Sequence, residues 1–312
     1  LKKAGGAIAC LNSEETLSAT VNTPRIAFIG LGAMGQPMAQ HLISAGFDVS
    51  GFDLSEDARR NLAKAGGRAA ETISDAMVGA DFVITMLPNG KIVRDALLSG
   101  NAYEGLKPNA LVIDMSSSAP NDTRELGGDL AARGLRLIDA PVSGGVKRAV
   151  SGTLTIMAGG AEADIAEAEA ILTPLGSQVF KTGPIGSGHA MKAINNFVSG
   201  AGLLAAIEAV TLGRSFGLEA DTIVDILNSS SGKNNATEVK MKQFVLSETF
   251  GSGFALGLMA KDIRIAADLA QTLGLRLETL ASTADAWDAA QKDLGPAEDH
   301  TRVIQYVKHH AK

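Results

Sequence analysis

Residues 25–53 read RIAFIGLGAMGQPMAQHLISAGFDVSGFD, and this stretch decides the fold. The run RIAFI has the length and apolar character of a buried strand. It passes directly into Gly30-Leu31-Gly32-Ala33-Met34-Gly35, after which helical periodicity starts at once. In such a strand–turn–helix unit the first glycine permits the tight turn, the second lets the backbone approach a pyrophosphate, and the third lets helix and strand pack closely. An anion placed there meets the free N–H groups and the positive dipole end of the helix. Pro37 falls in the first helical turn, where its missing N–H costs little. Three glycines at this spacing are weak evidence alone. Here a strand precedes them, a helix follows, and an acid, Asp53, ends the second strand 18 residues beyond Gly35. A carboxylate at that position accepts hydrogen bonds from ribose hydroxyls and repels a 2′-phosphate. The expected cofactor is therefore NAD rather than NADP, because no arginine follows Asp53 directly and Arg59 and Arg60 lie one helical turn further on.

Working outward, candidate strands recur at residues 48–53, 81–87, 110–115, 135–140, 154–159 and 178–183, with helical patterns between most of them. That alternation predicts βαβ units and a mainly parallel, doubly wound α/β Rossmann domain over residues 24–187. From Gly188 to Gly217 runs a proline-free stretch that is apolar around much of its circumference. As one helix it would measure roughly 40 Å, and such broad apolarity implies burial. Helical patterns continue in DTIVDILNSS, KDIRIAADLAQTLG and LASTADAWDAAQKDLG, with no convincing strand. Residues 188–312 are accordingly expected to form an all-α domain that closes the site, joined through a long interdomain helix. Residues 1–23 read as a loosely attached N-terminal extension, and AIACL is too short for a strong signal-peptide reading.

The composition removes several classes of function. A chain of 312 residues with 46% hydrophobic side chains can bury sizeable cores. A net charge of −6 and the lack of any Lys/Arg run give no footprint for nucleic acid. No apolar stretch reaches the roughly 20 residues of a bilayer span, so no membrane partner is expected. The single cysteine, Cys10, allows no internal disulfide framework and fits a reducing, cytoplasmic compartment. No metal site is expected.

Three further segments carry chemistry. Asp139-Ala-Pro-Val-Ser143-Gly144-Gly145 sets a hydroxyl beside two backbone N–H groups, a cradle suited to a carboxylate. Gly186-Ser-Gly188-His189-Ala-Met-Lys192-Ala-Ile-Asn195-Asn196 opens the long helix, and Lys261-Asp262 edges an apolar helical pattern. A solvated surface lysine is the ordinary reading of Lys192. Yet it sits in the first turns of a helix, where the dipole disfavours a cation, and burial would lower its pKa further. Such a lysine can trade a proton near neutral pH. Asn196, four residues on, shares its helix face. His189 adjoins the site but stands 300° around the helix from Lys192, an awkward partner. The loops Leu87-Pro88-Asn89 and Ser116-Ser117 follow strands at the edge where doubly wound sheets bind ligands, though either alone reads as a turn.

Taken together, GLGAMGQPMA, DAPVSGG, GSGHAMKAINN and GFALGLMAKD, in this order across about residues 24–307, resemble the β-hydroxyacid dehydrogenases. That family includes 3-hydroxyisobutyrate dehydrogenase, tartronate semialdehyde reductase and L-threonate dehydrogenase. The resemblance implies hydride transfer between NAD and a small 3-hydroxy acid or its semialdehyde, with Lys192 as general acid/base. It further implies that Ser143, Gly144, Gly145 and Asn196 bind substrate, and that Leu87, Pro88, Asn89 and Ser117 line the cofactor. Lys261 would reach both the nicotinamide end and the substrate carboxylate. The family's NADP-preferring members carry an Asn-Arg-Thr type of sequence where this chain has Asp53-Leu54-Ser55. A homodimer or homotetramer is the expected assembly. Two alternatives remain open: a catalytically silent dinucleotide-binding regulatory module, and an imine reductase, whose relatives usually place another residue where Lys192 stands. The loop at residues 229–238 is more polar than in 3-hydroxyisobutyrate enzymes, which favours a polyhydroxylated substrate. The chain is also too short for the larger helical domain of 6-phosphogluconate dehydrogenase.

Overall fold

The computed structural model describes residues 23–311; the N-terminal extension and Cys10 lie outside them. Strands β1 (Arg25–Ile29), β2 (Asp48–Phe52), β3 (Arg68–Ala69), β4 (Phe82–Thr85), β5 (Leu111–Asp114) and β6 (Arg136–Asp139) pair in parallel in the order β3-β2-β1-β4-β5-β6. Beyond β6 the sheet turns mixed. Strand β7 (Val142–Ser143) and β6 pair antiparallel to β8 (Leu154–Gly159), and β9 (Gly176–Gly183) runs parallel to β8. The two-residue strands β3 and β7 are too short to leave a periodic signal in the sequence. Strands β1, β4, β5 and β6 are largely apolar runs because both faces are covered: Ile26 and Phe28 join one core, Ala27 and Ile29 the other.

The register decides where the site lies. Phe52 pairs with Ile29, Ile29 with Thr85, Thr85 with Asp114, and Asp114 with Asp139, so the carboxyl ends of five strands finish level. The apolar runs at 81–87, 110–115 and 135–140 each outlast their strand by a residue or two. Those extra residues begin the loops that rise from this edge. The strand order also reverses between β1 and β4, the crevice where open α/β sheets bind ligands.

Helices α1 (Gly35–Ser44), α2 (Glu56–Lys64), α3 (Ile73–Met77), α4 (Gly90–Leu98), α5 (Pro120–Ala131), α6 (Gly145–Val150) and α7 (Glu162–Leu172) lie between the strands. Ser55, Thr72 and Asn89 start three of them, each side-chain oxygen accepting a hydrogen bond from the N–H three residues on. The chain then changes character. Helix α8 (Ser187–Phe216) runs for 30 residues and ends at Gly217, whose φ of +104° suits glycine. It is followed by α9 (Ala220–Ser229), a π-helix (Ala236–Leu246), α10 (Leu256–Thr272), α11 (Glu278–Leu294) and α12 (Val303–His310). Leu203, Ile207, Met259, Ile263 and the fully buried Trp287 form the core of this helical part.

Two expectations need correction. The stretch at residues 229–238 is not a loop to its end, because the π-helix begins at Ala236. Its i→i+5 winding does not match the 3.6-residue template, and Asn234 starts it by accepting from the N–H groups of Ala236 and Thr237. The second concerns membrane-length apolarity. Helix α8 is long and apolar enough to span a bilayer, with an 18-residue window of mean hydropathy 1.4. Counting consecutive apolar residues missed it, since Lys192, Asn195, Asn196 and Glu208 interrupt the run. Its buried face packs on α10 and α11, while Val198, Leu212 and Phe216 stay exposed.

The start of α8 is fitted closely onto the sheet. Asp139 accepts hydrogen bonds from the backbone N–H of Gly186 and of His189, both at 2.7 Å. A Cβ at Gly188 would come within 2.2 Å of the Met157 carbonyl oxygen. Gly188→Ala must therefore push the helix off the sheet, at about 1–3 kcal/mol for such overpacking. Urea denaturation should show that loss; an unchanged midpoint would contradict the close docking.

Candidate active site

The glycine loop is held in shape from behind and left open in front. A Cβ at Gly30 would lie 2.3 Å from the Met86 carbonyl oxygen, and one at Gly35 would lie 1.9 Å from that of Gly30. At Gly32 nothing stands within 4 Å, and Gly32 and Ala33 are exposed. The outer glycines thus serve packing, while Gly32 leaves a bare strip of backbone at the start of α1. An anion would fill that space, with Leu31, Ala33 and Met34 flanking it.

Asp53 closes this half of the site. Its Oδ2 accepts from the Leu31 N–H at 2.7 Å and its Oδ1 from the Ser55 N–H at 2.8 Å, tying the loop to the end of β2. Arg59 turns back onto the Asp53 carbonyl oxygen at 2.7 Å and lies 3.6 Å from Glu71. Arg60 pairs with Glu56 and Asp57. Both arginines next along the chain from Asp53 are committed to other acceptors. The donor set fits the adenosine and pyrophosphate of NAD.

The next two strand-end loops are braced together, with the Leu87 N–H donating to Ser116 Oγ at 2.9 Å. Asn89 spends its side-chain oxygen capping α4, accepting from the Ile92 N–H at 2.9 Å. Leu87 and the exposed Pro88 are left as that loop's side-chain surface. Lys261 crosses from α10 to this edge, its Nζ donating to the Ser117 carbonyl oxygen at 2.6 Å. The same ammonium lies 3.0 Å from Asp262 Oδ1 as an ion pair. Asp262 Oδ2 in turn accepts from Asn196 Nδ2 at 2.6 Å, and Asn196 Oδ1 accepts from Asn195 Nδ2 at 3.1 Å. A continuous polar chain therefore runs from Ser117 through Lys261, Asp262 and Asn196 to the helix face that carries Lys192.

Lys192 is 9% exposed, with no carboxylate within 4 Å among the described residues. Burial holds its pKa below the ordinary lysine value; Asp262 pulls it back up and Lys261 pushes it further down. Burial is the leading cause. The helix dipole fades within the first turn, and Lys192 is the sixth residue of α8. Asp262 is the site residue that the sequence reading quoted without assigning. Its signal was an acid beside Lys261 on an otherwise apolar helix.

His189 needs its own correction. An offset of 300° equals 60° the other way, so His189 and Lys192 stand on the same side of α8. What separates them is bonding. The His189 Nε2 donates to the Ser116 carbonyl oxygen at 3.1 Å, and its Nδ1 lies 2.8 Å from Thr123 Oγ1. The ring is 1% exposed and clamps α8 to the sheet.

Ser143, Gly144 and Gly145 lie at β7 and the start of α6, with both glycines exposed and at positive φ. No hydrogen bond joins these three residues to Lys192, Asn196 or Lys261 among the described residues. A groove of about 520 Å³ opens on the outer side of Lys261, lined also by Arg264, Asp288 and Gln291. It holds none of the other residues of this chain of contacts.

Comparison with known proteins follows the same division of the chain. Residues 25–183 match the NAD binding domain of 6-phosphogluconate dehydrogenase. Residues 186–307 match the NAD-binding region of NADP-dependent 3-hydroxyisobutyrate dehydrogenase. The 2-(hydroxymethyl)glutarate dehydrogenase of Eubacterium barkeri is 35% identical, over 90% of this chain and 94% of its own. The NAD-dependent L-serine dehydrogenase of Pseudomonas aeruginosa is 39% identical, over 79% and 85%. The solved 3-hydroxyisobutyrate dehydrogenase of Mycobacterium tuberculosis with L-serine superposes with a TM-score of 0.84 at 32% identity, covering 92% of this chain and 99% of that one.

The balance of charges around Lys192 is open to direct measurement. Asp262→Asn removes the neighbour that raises the lysine's pKa, so Lys192 should titrate at lower pH than in the unmodified protein. Carbon-13 NMR of labelled lysine side chains follows this titration. An unmoved midpoint would remove Asp262 from the causes.

Proposed function

Because the chain belongs to the β-hydroxyacid dehydrogenase family, NAD-dependent enzymes acting on the CH–OH of small hydroxy acids, we propose that Lys192 is its general acid/base. The observation that carries this reading is a buried amine with no carboxylate partner, held below the usual lysine pKa, beside the Asn196–Asp262–Lys261 chain. NAD, held by residues 30–35, Asp53, Leu87, Pro88 and Ser117, supplies the hydride acceptor when bound. Neutral Lys192 takes the hydroxyl proton on oxidation, and its ammonium returns the proton on reduction. Asn196, fixed by its bond to Asp262, holds the hydroxyl beside the lysine amine. Ser143 with the Gly144 and Gly145 amides takes the substrate carboxylate, and Lys261 adds positive charge.

The relatives' own names bear on the substrate. L-serine, 3-hydroxyisobutyrate and 2-(hydroxymethyl)glutarate are all acids that carry a hydroxymethyl group. A 3-hydroxy acid fits this site on the same grounds, and the polar residues at 230–235 favour one with further polar groups. Preference for NAD over NADP rests on Asp53 and on the engagement of Arg59 and Arg60 elsewhere.

Lys192→Ala should lower turnover by about 10²–10⁴, the usual worth of general acid–base assistance. NAD affinity should stay near normal, since the glycine loop lies on the sheet. Retention of more than about a tenth of the wild-type turnover would contradict the assignment. Oxidation needs the neutral amine, so its rate should rise with pH through the lowered pKa of Lys192, and the rate of reduction should fall over the same range. For the cofactor, kcat/KM with NAD should exceed that with NADP, and Asp53→Ala should narrow the gap. Equal use of both cofactors by the unmodified enzyme would sink the role given to Asp53.

A further inference from the structure

Lys240 stands in the π-helix, outside every motif considered so far. Its ammonium is largely buried, and its one hydrogen bond among the described residues is to Ser199 Oγ, at 3.1 Å. No carboxylate lies within 4 Å of it among those residues. The nearby acid is Asp299, and its oxygens are already taken. They accept from the N–H groups of Gly253 at 2.9 Å and Thr301 at 3.0 Å, and from the hydroxyl of Ser252. The adjoining His300 supplies no charge of either sign. Burial and the Lys240 charge itself push its pKa down to about 4, so it is neutral at pH 7. Burial lowers the pKa of Lys240 to about 8, which leaves it cationic at neutral pH. A cation withdrawn from water with a hydroxyl as its hydrogen-bond partner, and Asp299 acting on it only from beyond 4 Å, is costly unless an anion joins it more closely.

The position of Ser199 gives that anion a place. It lies seven residues after Lys192 on α8, which is 20° short of two full turns and about 10 Å along the axis. Lys192, Asn195, Asn196 and Ser199 therefore form one polar stripe, with Lys192 at its start and Lys240 over its far end. We infer that Lys240 is a second anion subsite, so that the substrate is a hydroxy acid carrying another oxyanion, a carboxylate or sulfonate, at the end remote from the reacting hydroxyl. This rests on the reading that Lys192 marks the reacting end. A substrate lying along α8, with its hydroxyl at Lys192, brings such a distal group to the Lys240 ammonium and the Ser199 hydroxyl.

Binding tests this without turnover. Calorimetry at pH 7 on the full chain saturated with NAD would compare butyrate with glutarate and 4-sulfobutyrate. At least one dianion should bind about ten-fold or more tightly than butyrate, and the better of the two identifies the distal group. Lys240→Gln and Lys240→Met should close that gap, and Lys240→Arg should keep most of it. A lysine that only props the fold would change stability but not the ratio of dianion to monoanion affinity. Equal affinities in the unmodified protein, or a gap that survives in Lys240→Gln, would overturn the proposal, and the first comparison needs no variant to fold. Dianion binding through Lys240 with no hydroxy acid oxidised would instead sink the reading of Lys192. Turnover of simple hydroxy acids with no dianion preference would sink this one alone.

Discussion

One buried carboxylate sets the relation between the two parts of the molecule. Asp139 ends β6 with no exposure, and both its oxygens accept from backbone N–H groups at the start of α8. Two acceptors are what the ionised form offers, while burial raises the pKa and opposes the charge; His189 and the amides pull the other way. For a carboxyl whose pKa is raised on folding, ionisation above that pKa costs stability. Hydrogen bonds to a charged group contribute about 1.5–3 kcal/mol each and offset that cost. Asp139 thus aims a 30-residue helix at one spot on the edge of the sheet.

From that spot the surroundings of Lys192 follow. The helix starts against the end of β6, and its second turn carries Lys192 on the face that also bears Asn196. Helix α10 then returns Lys261 to the Ser117 carbonyl oxygen, and Asp262 links it to Asn196. Two opposing influences meet at Lys192. Burial and Lys261 favour the neutral amine, and Asp262 favours the ammonium. The proton exchange proposed for Lys192 needs neither form to be strongly preferred.

The parts legible in the sequence were those whose physics is local. Gly30, Gly32 and Gly35 with Asp53 could be read because the turn, the helix start and the strand end lie within 30 residues. The apolar runs of β1, β4, β5 and β6 showed because both faces of the sheet are buried there. Lys192 stood out mainly because GSGHAMKAINN carries the family resemblance; the helix dipole added little, since it fades within the first turn. Asp262 and Lys240 were not legible, since their meaning depends on neighbours 66 and 41 residues away along the chain. The π-helix escaped because its winding breaks the helical period. His189 shows the other kind of gap: its angle on the helix was readable, but its bonds to Ser116 and Thr123 were made only by folding.

The clasps between the two parts have one more property. His189 and Lys261 both grip carbonyl oxygens, those of Ser116 and Ser117, and not the side chains at those positions. Every amino acid has a carbonyl oxygen. Neither of these two contacts constrains the residue it holds, whereas the Thr123 hydroxyl against His189 Nδ1 and the Ser116 hydroxyl under the Leu87 N–H depend on their side chains. Ser117, held through its carbonyl oxygen, can vary for selectivity, while Ser116 and Thr123 are kept for assembly.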